Sequence, residues 1–246
     1  MLDLRGRRVV ISGASSGIGL ETARMLASKG AEVCLTARRA DPLAAAAKEI
    51  GDGAWAWPCD VADPESVVAL AAETKTRWGA VDGLVNNAGV APMARLDETP
   101  NDVWDETFAI NVRGPFLLCR ELGPMLKEGV SPAVVNVSST LAERAIQGMA
   151  AYNASKAALN QLTRSLALEW APQVRVNAVM PAVVETPIHA TRGMSFEQVE
   201  AMGEMHPMRR VGQPEDVAAM ISFLLSDASS WMTGTVIPVD GGILAG

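Results

Sequence analysis

The chain has 246 residues, 49% of them hydrophobic, and a net charge of −7. It can bury a full core but lacks the basic footprint that nucleic acid requires. No apolar run reaches the ~18 residues of a membrane span. The N-terminus has no secretory layout, and three dispersed cysteines with two histidines argue against a disulfide framework or a metal centre. These properties predict a soluble, cytoplasmic protein with no nucleic-acid, membrane or metal partner.

Strand-like and helix-like runs alternate along the whole chain. Residues 7–12 read as a first strand, 17–29 as a helix and 31–37 as a second strand. An Ala-rich helix over 41–50 and a short third strand over 54–58 follow. Asp63 and Pro64 start a helix that ends at Trp78, a carboxylate cap before a first-turn proline. A fourth strand spans 83–86, a long helix roughly 100–127, and a fifth strand 133–137. A helix-period segment covers 152–170, with Leu159, Leu162, Leu166 and Trp170 at spacings of three and four. A sixth strand is expected at 174–180, a helix from Pro214, and a last strand at 235–239. This alternation, with continuously apolar strands, predicts one doubly wound α/β domain over residues 1–246. Its sheet would be parallel and seven-stranded, with helices on both faces.

The exception is an irregular stretch, about 185–212, which holds Met194, Met202, Met205, Met208 and both histidines. Following a strand's carboxyl end, it is expected to be a lid over a site rather than a gap-filling methionine cluster.

Four ordered motifs carry chemistry. The first strand ends in Ser12-Gly13-Ala14-Ser15-Ser16-Gly17-Ile18-Gly19 and passes at once into a helix. Such a turn lets the backbone approach a pyrophosphate at a helix N-terminus. The fourth strand runs into Asn86-Asn87-Ala88-Gly89. Tyr152 and Lys156 are four apart on a helix and share a face, so a nearby ammonium would make the phenol a usable general acid/base. An isolated Tyr-Lys pair carries little weight, but Ser139 stands thirteen residues upstream, just after the fifth strand. The last motif is Pro181 to Thr186.

With these motifs the chain resembles the short-chain dehydrogenase/reductase family, in its compact single-domain branch, from about Arg7 to Gly242. The resemblance implies a Rossmann-type fold and a nicotinamide dinucleotide. Residues that match its cofactor site are Gly13, Ser15, Ser16, Gly17, Ile18, Gly19, Asp60, Val61, Asn87, Ala88, Gly89, Tyr152, Lys156, Pro181, Val184 and Thr186. Asp60 and Val61 would hold the adenine ring, although Asp60 also suits a loop carboxylate or a helix cap. NAD-preferring members carry an acidic residue at the end of the second strand. Here that position is Ala37, followed by Arg38 and Arg39, which are suited to a 2′-phosphate. NADP(H) is therefore expected over NAD(H). Asp41 is a rival for the ribose but is expected to cap the next helix.

The resemblance also assigns roles in the reaction. Ser139 would hydrogen-bond the substrate oxygen, Tyr152 would exchange a proton with it, and Lys156 would hold the nicotinamide ribose. Ser138 competes with Ser139, but strand alternation places neighbours on opposite faces. Asn111 is the fourth member, tied to Lys156 through water. Pro115, four residues on, cannot donate to the Asn111 carbonyl, and Gly114-Pro115 equally suits a helix kink. Ala182 stands where the family usually has glycine.

Leu141, Met149, Ala182, Val183 and the lid methionines imply a mainly apolar substrate pocket. Gln147, with Glu143 and Arg144, offers polar selectivity or simply solvated loop. Across the loops 127–132 and 169–173 only Lys127 is basic, which favours a small-molecule ketone or secondary alcohol over a chain on an acidic carrier protein. A 3-oxoacyl-carrier-protein reductase, an NAD-dependent sugar or alcohol dehydrogenase, and a non-catalytic dinucleotide-binding regulator are the alternatives. Trp78, Trp104 and Trp170 are expected in the core or a subunit interface, and by analogy a homotetramer or homodimer is expected.

Overall fold

In a computed structural model describing residues 3–246, the β-α alternation resolves into one parallel sheet. The first half comprises β1 (Arg8–Ser12), α1 (Gly17–Ser28), β2 (Glu32–Ala37), α2 (Ala40–Ile50), β3 (Ala54–Pro58) and α3 (Pro64–Trp78). Next come β4 (Gly83–Asn86), α4 (Asn101–Phe108), α5 (Gly114–Lys127), β5 (Ala133–Val137) and α6 (Ala150–Trp170). β6 (Arg175–Pro181), α7 (Phe196–Ala201), α8 (Pro214–Leu225) and β7 (Val236–Val239) complete the chain. The strand order among the described residues is β3-β2-β1-β4-β5-β6-β7. Growth reverses between β1 and β4, so a crevice opens there at the carboxyl ends of the strands.

Strand alternation divides the core into two layers. Val9 and Ile11 of β1 face one cluster, with Leu26 of α1 and Ile221 of α8. Val10 between them faces the other, with Leu70 of α3 and Leu118 and Leu122 of α5. Burying both faces of every central strand explains why these strands read as unbroken apolar runs. Cys34, Cys59 and Cys119 are free and buried.

Three local expectations need correction. The helix over 100–127 is not uniform: α4 and α5 are joined through a π-turn, Ala109–Arg113. There the Gly114 amide donates to the carbonyl of Ala109, five residues back. Pro115 has no N–H to continue the ordinary ladder, and a π-turn is one way a helix absorbs that loss. Asp41 does not cap α2; the cap position is Arg39, and Asp41 lies exposed in the first turn. The 185–212 segment is also not structureless. It contains 3-10 turns at Ala190–Arg192 and Met202–Met205 and the short helix α7, which a Ser195–Gln198 capping box starts. Its base is closed by a bridge between Val184 and Gly212.

Candidate active site

The carboxyl ends of β1, β4, β5 and β6 open onto a cavity of about 1210 Å³. Its geometry is set first where β1 meets β4. The buried Ser12 hydroxyl accepts the amides of Asn87 at 3.0 Å and Ala88 at 3.1 Å and donates to the Val85 carbonyl. The Asn87 side chain donates to the carbonyls of Ser12 and Gly13. Sequence reasoning passed over Ser12, although a serine ending the run Arg-Val-Val-Ile-Ser was a visible signal. At Gly13 φ is +66°, and a Cβ would lie 2.8 Å from Ala88 Cα. At Gly19 a Cβ would lie 2.5 Å from Asn87 Nδ2 and from the Gly13 carbonyl oxygen. The glycines thus let two loops cross at backbone distance, and the Asn87 amide is committed to that crossing.

A second polar chain crosses the sheet. Asn86 Nδ2 donates to Asn136 Oδ1, and Asn136 Nδ2 to Thr163 Oγ1, each at 2.8 Å. It locks β4, β5 and α6 in register and so fixes the helix that carries Tyr152 and Lys156.

Tyr152, Lys156, Ser138 and Ser139 are all buried. Ser139 lies within hydrogen-bonding reach of the phenol and accepts the Leu141 amide. Ser138 turns the other way, onto the Lys156 carbonyl at 3.3 Å. Alternation along the strand end therefore selects Ser139. The Lys156 ammonium donates to the Val137 carbonyl at 2.8 Å and stands 5.7 Å from the centre of the Tyr152 ring.

Burial raises the Tyr152 pKa above its ordinary 10, against opposing effects of the Ser139 hydroxyl and the Arg192 guanidinium. Desolvation thus governs the phenol's ionisation, and the groups that oppose it are Ser139 and Arg192 rather than Lys156. Burial also lowers Lys156, to about 8. Asn111 is buried. Its Nδ2 donates to the Val90 carbonyl and the Ser155 hydroxyl, and its Oδ1 accepts the Val90 amide at 2.9 Å. The side chain thereby fastens the loop after β4 to α6.

Of the residues matched to the cofactor site, all but Gly19 line the cavity. Gly19 instead packs against Gly13 and Asn87. One Asp60 oxygen accepts the Ala62 amide at 3.0 Å, so the carboxylate also braces its own loop. Exposed Arg38 and Arg39 line the cavity and make no hydrogen bond or ion pair among the described residues. Two uncommitted guanidiniums behind an alanine, and a glycine turn at the start of α1, fit a dinucleotide with a phosphorylated ribose.

Among the substrate residues, Ser139, Leu141, Tyr152, Ala182 and Val183 line the cavity. Met149 is buried behind the site in a cluster with Ala91 and Tyr152. Gln147 is exposed and outside the cavity lining. The sequence pattern could not separate them, since a two-residue step in an irregular loop does not reveal which way each side chain faces. Ala182 has no left-handed backbone: outside glycine, positive φ among the described residues is confined to Ser131 and Arg209. Alanine is therefore accommodated there without strain. The sequence reading did not single out Arg192, Ile188, His189 or Ile243, which also line the cavity. They come from the irregular segment and the C-terminal tail, where no periodicity marks a face.

Residues 13–244 match the family described as Enoyl-(Acyl carrier protein) reductase. A galactitol 2-dehydrogenase (L-tagatose-forming) of Cereibacter sphaeroides is 40% identical, with 97% of this chain and 95% of that one covered. A cis-4-hydroxycyclohexanecarboxylate dehydrogenase of Sinomonas cyclohexanicum is 39% identical, with 97% of each covered. Among solved structures, a 3-ketoacyl-(acyl-carrier-protein) reductase from Brucella melitensis, complexed with NADH, aligns with a TM-score of 0.92. It is 34% identical, with 98% of this chain and 99% of that chain covered.

Proposed function

The chain belongs to the short-chain dehydrogenase/reductase family, and we propose that it is an NADP(H)-dependent oxidoreductase that interconverts a small-molecule ketone and its secondary alcohol. The observation that carries this reading is the meeting of Ser139, Tyr152 and Lys156 in one buried corner of the cavity. When bound, the dinucleotide supplies or takes up the hydride at its nicotinamide ring.

The chain's own residues do the rest. The amides at the start of α1 and the glycine turn hold the pyrophosphate, and Arg38 and Arg39 clasp the ribose phosphate. Ser139 and Tyr152 orient the substrate oxygen by hydrogen bonds. The phenol, held protonated by burial, gives its proton to that oxygen during reduction and takes it back during oxidation. Lys156 holds the nicotinamide ribose and restores the phenol's charge balance. Asn111 keeps the Gly89–Ala91 loop against α6 and offers its backbone carbonyl to a water that passes protons on from Lys156. The 185–212 segment acts as the lid, excluding water from the reacting groups.

A homodimer or homotetramer is part of the proposal. Trp104, Phe116 and Leu168 are exposed on α4, α5 and α6, and an apolar groove lies between Phe108, Phe116 and Leu162. The lack of a paired carboxylate at Arg38 and Arg39 favours NADP(H), although the solved reductase named above is bound to NADH. That name also keeps a carrier-bound 3-oxoacyl substrate as the second reading. Both are decided by assaying ketones, alcohols and an acyl-carrier-protein thioester with NADPH, NADH and their oxidised forms at several pH values. No redox turnover with any pair would leave dinucleotide binding alone and overturn the enzymatic reading.

A further inference from the structure

A second cation beside the chemistry, after Lys156, lies in the lid. Arg192 closes the 3-10 turn Ala190–Arg192, and its Nε donates to the Ala91 carbonyl at 2.9 Å. Its guanidinium carbon stands 5.6 Å from the centre of the Tyr152 ring. The side chain is half-buried and lines the cavity. Its two terminal amino groups have no hydrogen-bond partner, and no carboxylate pairs with it among the described residues.

A guanidinium partly removed from water without a counter-charge is unfavourable, unless a ligand completes it. Burial accordingly disfavours its charged form and the Tyr152 phenol opposes that effect. The acidic side chains lining the cavity, Asp60 and Glu106, form no ion pair with it. The dinucleotide's own anionic groups would be taken up at the glycine turn and at Arg38 and Arg39, which line the cavity. The Nε bond to Ala91 holds the planar fork, leaving the terminal amino groups for a bidentate partner. One fork in a cavity also lined by Leu141, Val183 and Ile188 suits a carboxylate on an apolar skeleton better than a phosphate, which calls for more donors.

We infer that Arg192 is the specificity-determining residue of the substrate site, and that the substrate is a small oxo acid or hydroxy acid whose carboxylate pairs with it. The inference rests on the reading of Ser139 and Tyr152 as the carbonyl-binding end. It places the carboxylate a few carbons from the reacting centre, because both ends meet on the same tyrosine.

The test uses the NADP-loaded enzyme. Calorimetry compares cyclohexanecarboxylate with cyclohexanecarboxamide as non-reacting probes, and turnover compares 4-oxocyclohexanecarboxylate with its methyl ester. The acid is expected to bind at least tenfold tighter than the amide and to exceed the ester at least tenfold in kcat/KM. Arg192→Met and Arg192→Gln should bring both ratios close to one, and Arg192→Lys should restore part of each. Equal binding of acid and amide by the unaltered enzyme, or ratios unmoved in the folded Arg192 variants, would overturn the inference. A preserved binding preference with no turnover of any ketone would support the pairing at Arg192 and count against the reductase reading instead.

Discussion

Lys156 and Tyr152 share a helix face, but the ammonium, 5.7 Å from the ring centre, makes its hydrogen bond to the Val137 carbonyl rather than to the phenol. The lysine is thereby held at the floor of the cavity, beside Gly89 and Asn111, where a ribose would lie. The phenol is left to Ser139 and to burial. Five predictions follow from this arrangement and its surroundings.

Tyr152→Phe removes the proton donor while keeping the ring packed against Met149 and Ala91. Turnover should fall by roughly 10²–10⁴-fold, with dinucleotide affinity changed little. Steady-state kinetics beside a calorimetric titration with NADP⁺ separate the two. Turnover within threefold of the unaltered enzyme would exclude Tyr152 as the proton donor.

The raised Tyr152 pKa fixes the sign of the pH dependence. The protonated phenol is the form reduction needs, so the reduction rate should hold through neutral pH and decline only in alkali. Oxidation needs the ionised form and should rise with pH over the same range. Profiles of kcat for both directions test this. A reduction rate that climbs from pH 7 to 9 would contradict it.

Burial takes Lys156 from its ordinary 10.5 to about 8. Between those values the unfolded chain keeps a proton that the folded chain has lost, so stability rises with pH across that window. Below it the buried charge costs at most roughly 3 kcal/mol, offset in part by the Val137 hydrogen bond. Lys156→Met should therefore melt no lower than the unaltered protein at pH 7 while losing turnover. Its advantage should shrink as pH approaches 10.5. Thermal melts at several pH values check it; a large loss of Tm at pH 7 would mean that the Val137 bond dominates.

Gly19→Ala places a methyl 2.5 Å from Asn87 Nδ2 and the Gly13 carbonyl oxygen. Overpacking of this kind costs about 1–3 kcal/mol, and here it also pushes Asn87 off the carbonyls of Ser12 and Gly13. Lower Tm with weaker dinucleotide binding is expected from denaturation and titration. Ala37→Asp combined with Arg38→Leu should leave Tm unchanged but shift the NADPH/NADH ratio of kcat/KM at least tenfold toward NADH.

The sheet, the glycine turn and the gathering of Ser139, Tyr152 and Lys156 in one cavity were legible in the linear chain. Each is written in local terms: an apolar run of strand length, a glycine pattern between strand and helix, and a four-residue step on a helix. Tertiary structure alone decided which neighbours those residues acquire. Asp41 is in the first turn rather than the cap, Met149 packs behind Tyr152 and Gln147 lies outside the cavity, because loop geometry has no period to read. The balance on the phenol was also unreadable in one dimension. Whether a cation or desolvation governs a pKa depends on burial and on distances between segments far apart in the chain. The guanidinium that reaches Tyr152 comes from Arg192, forty residues away.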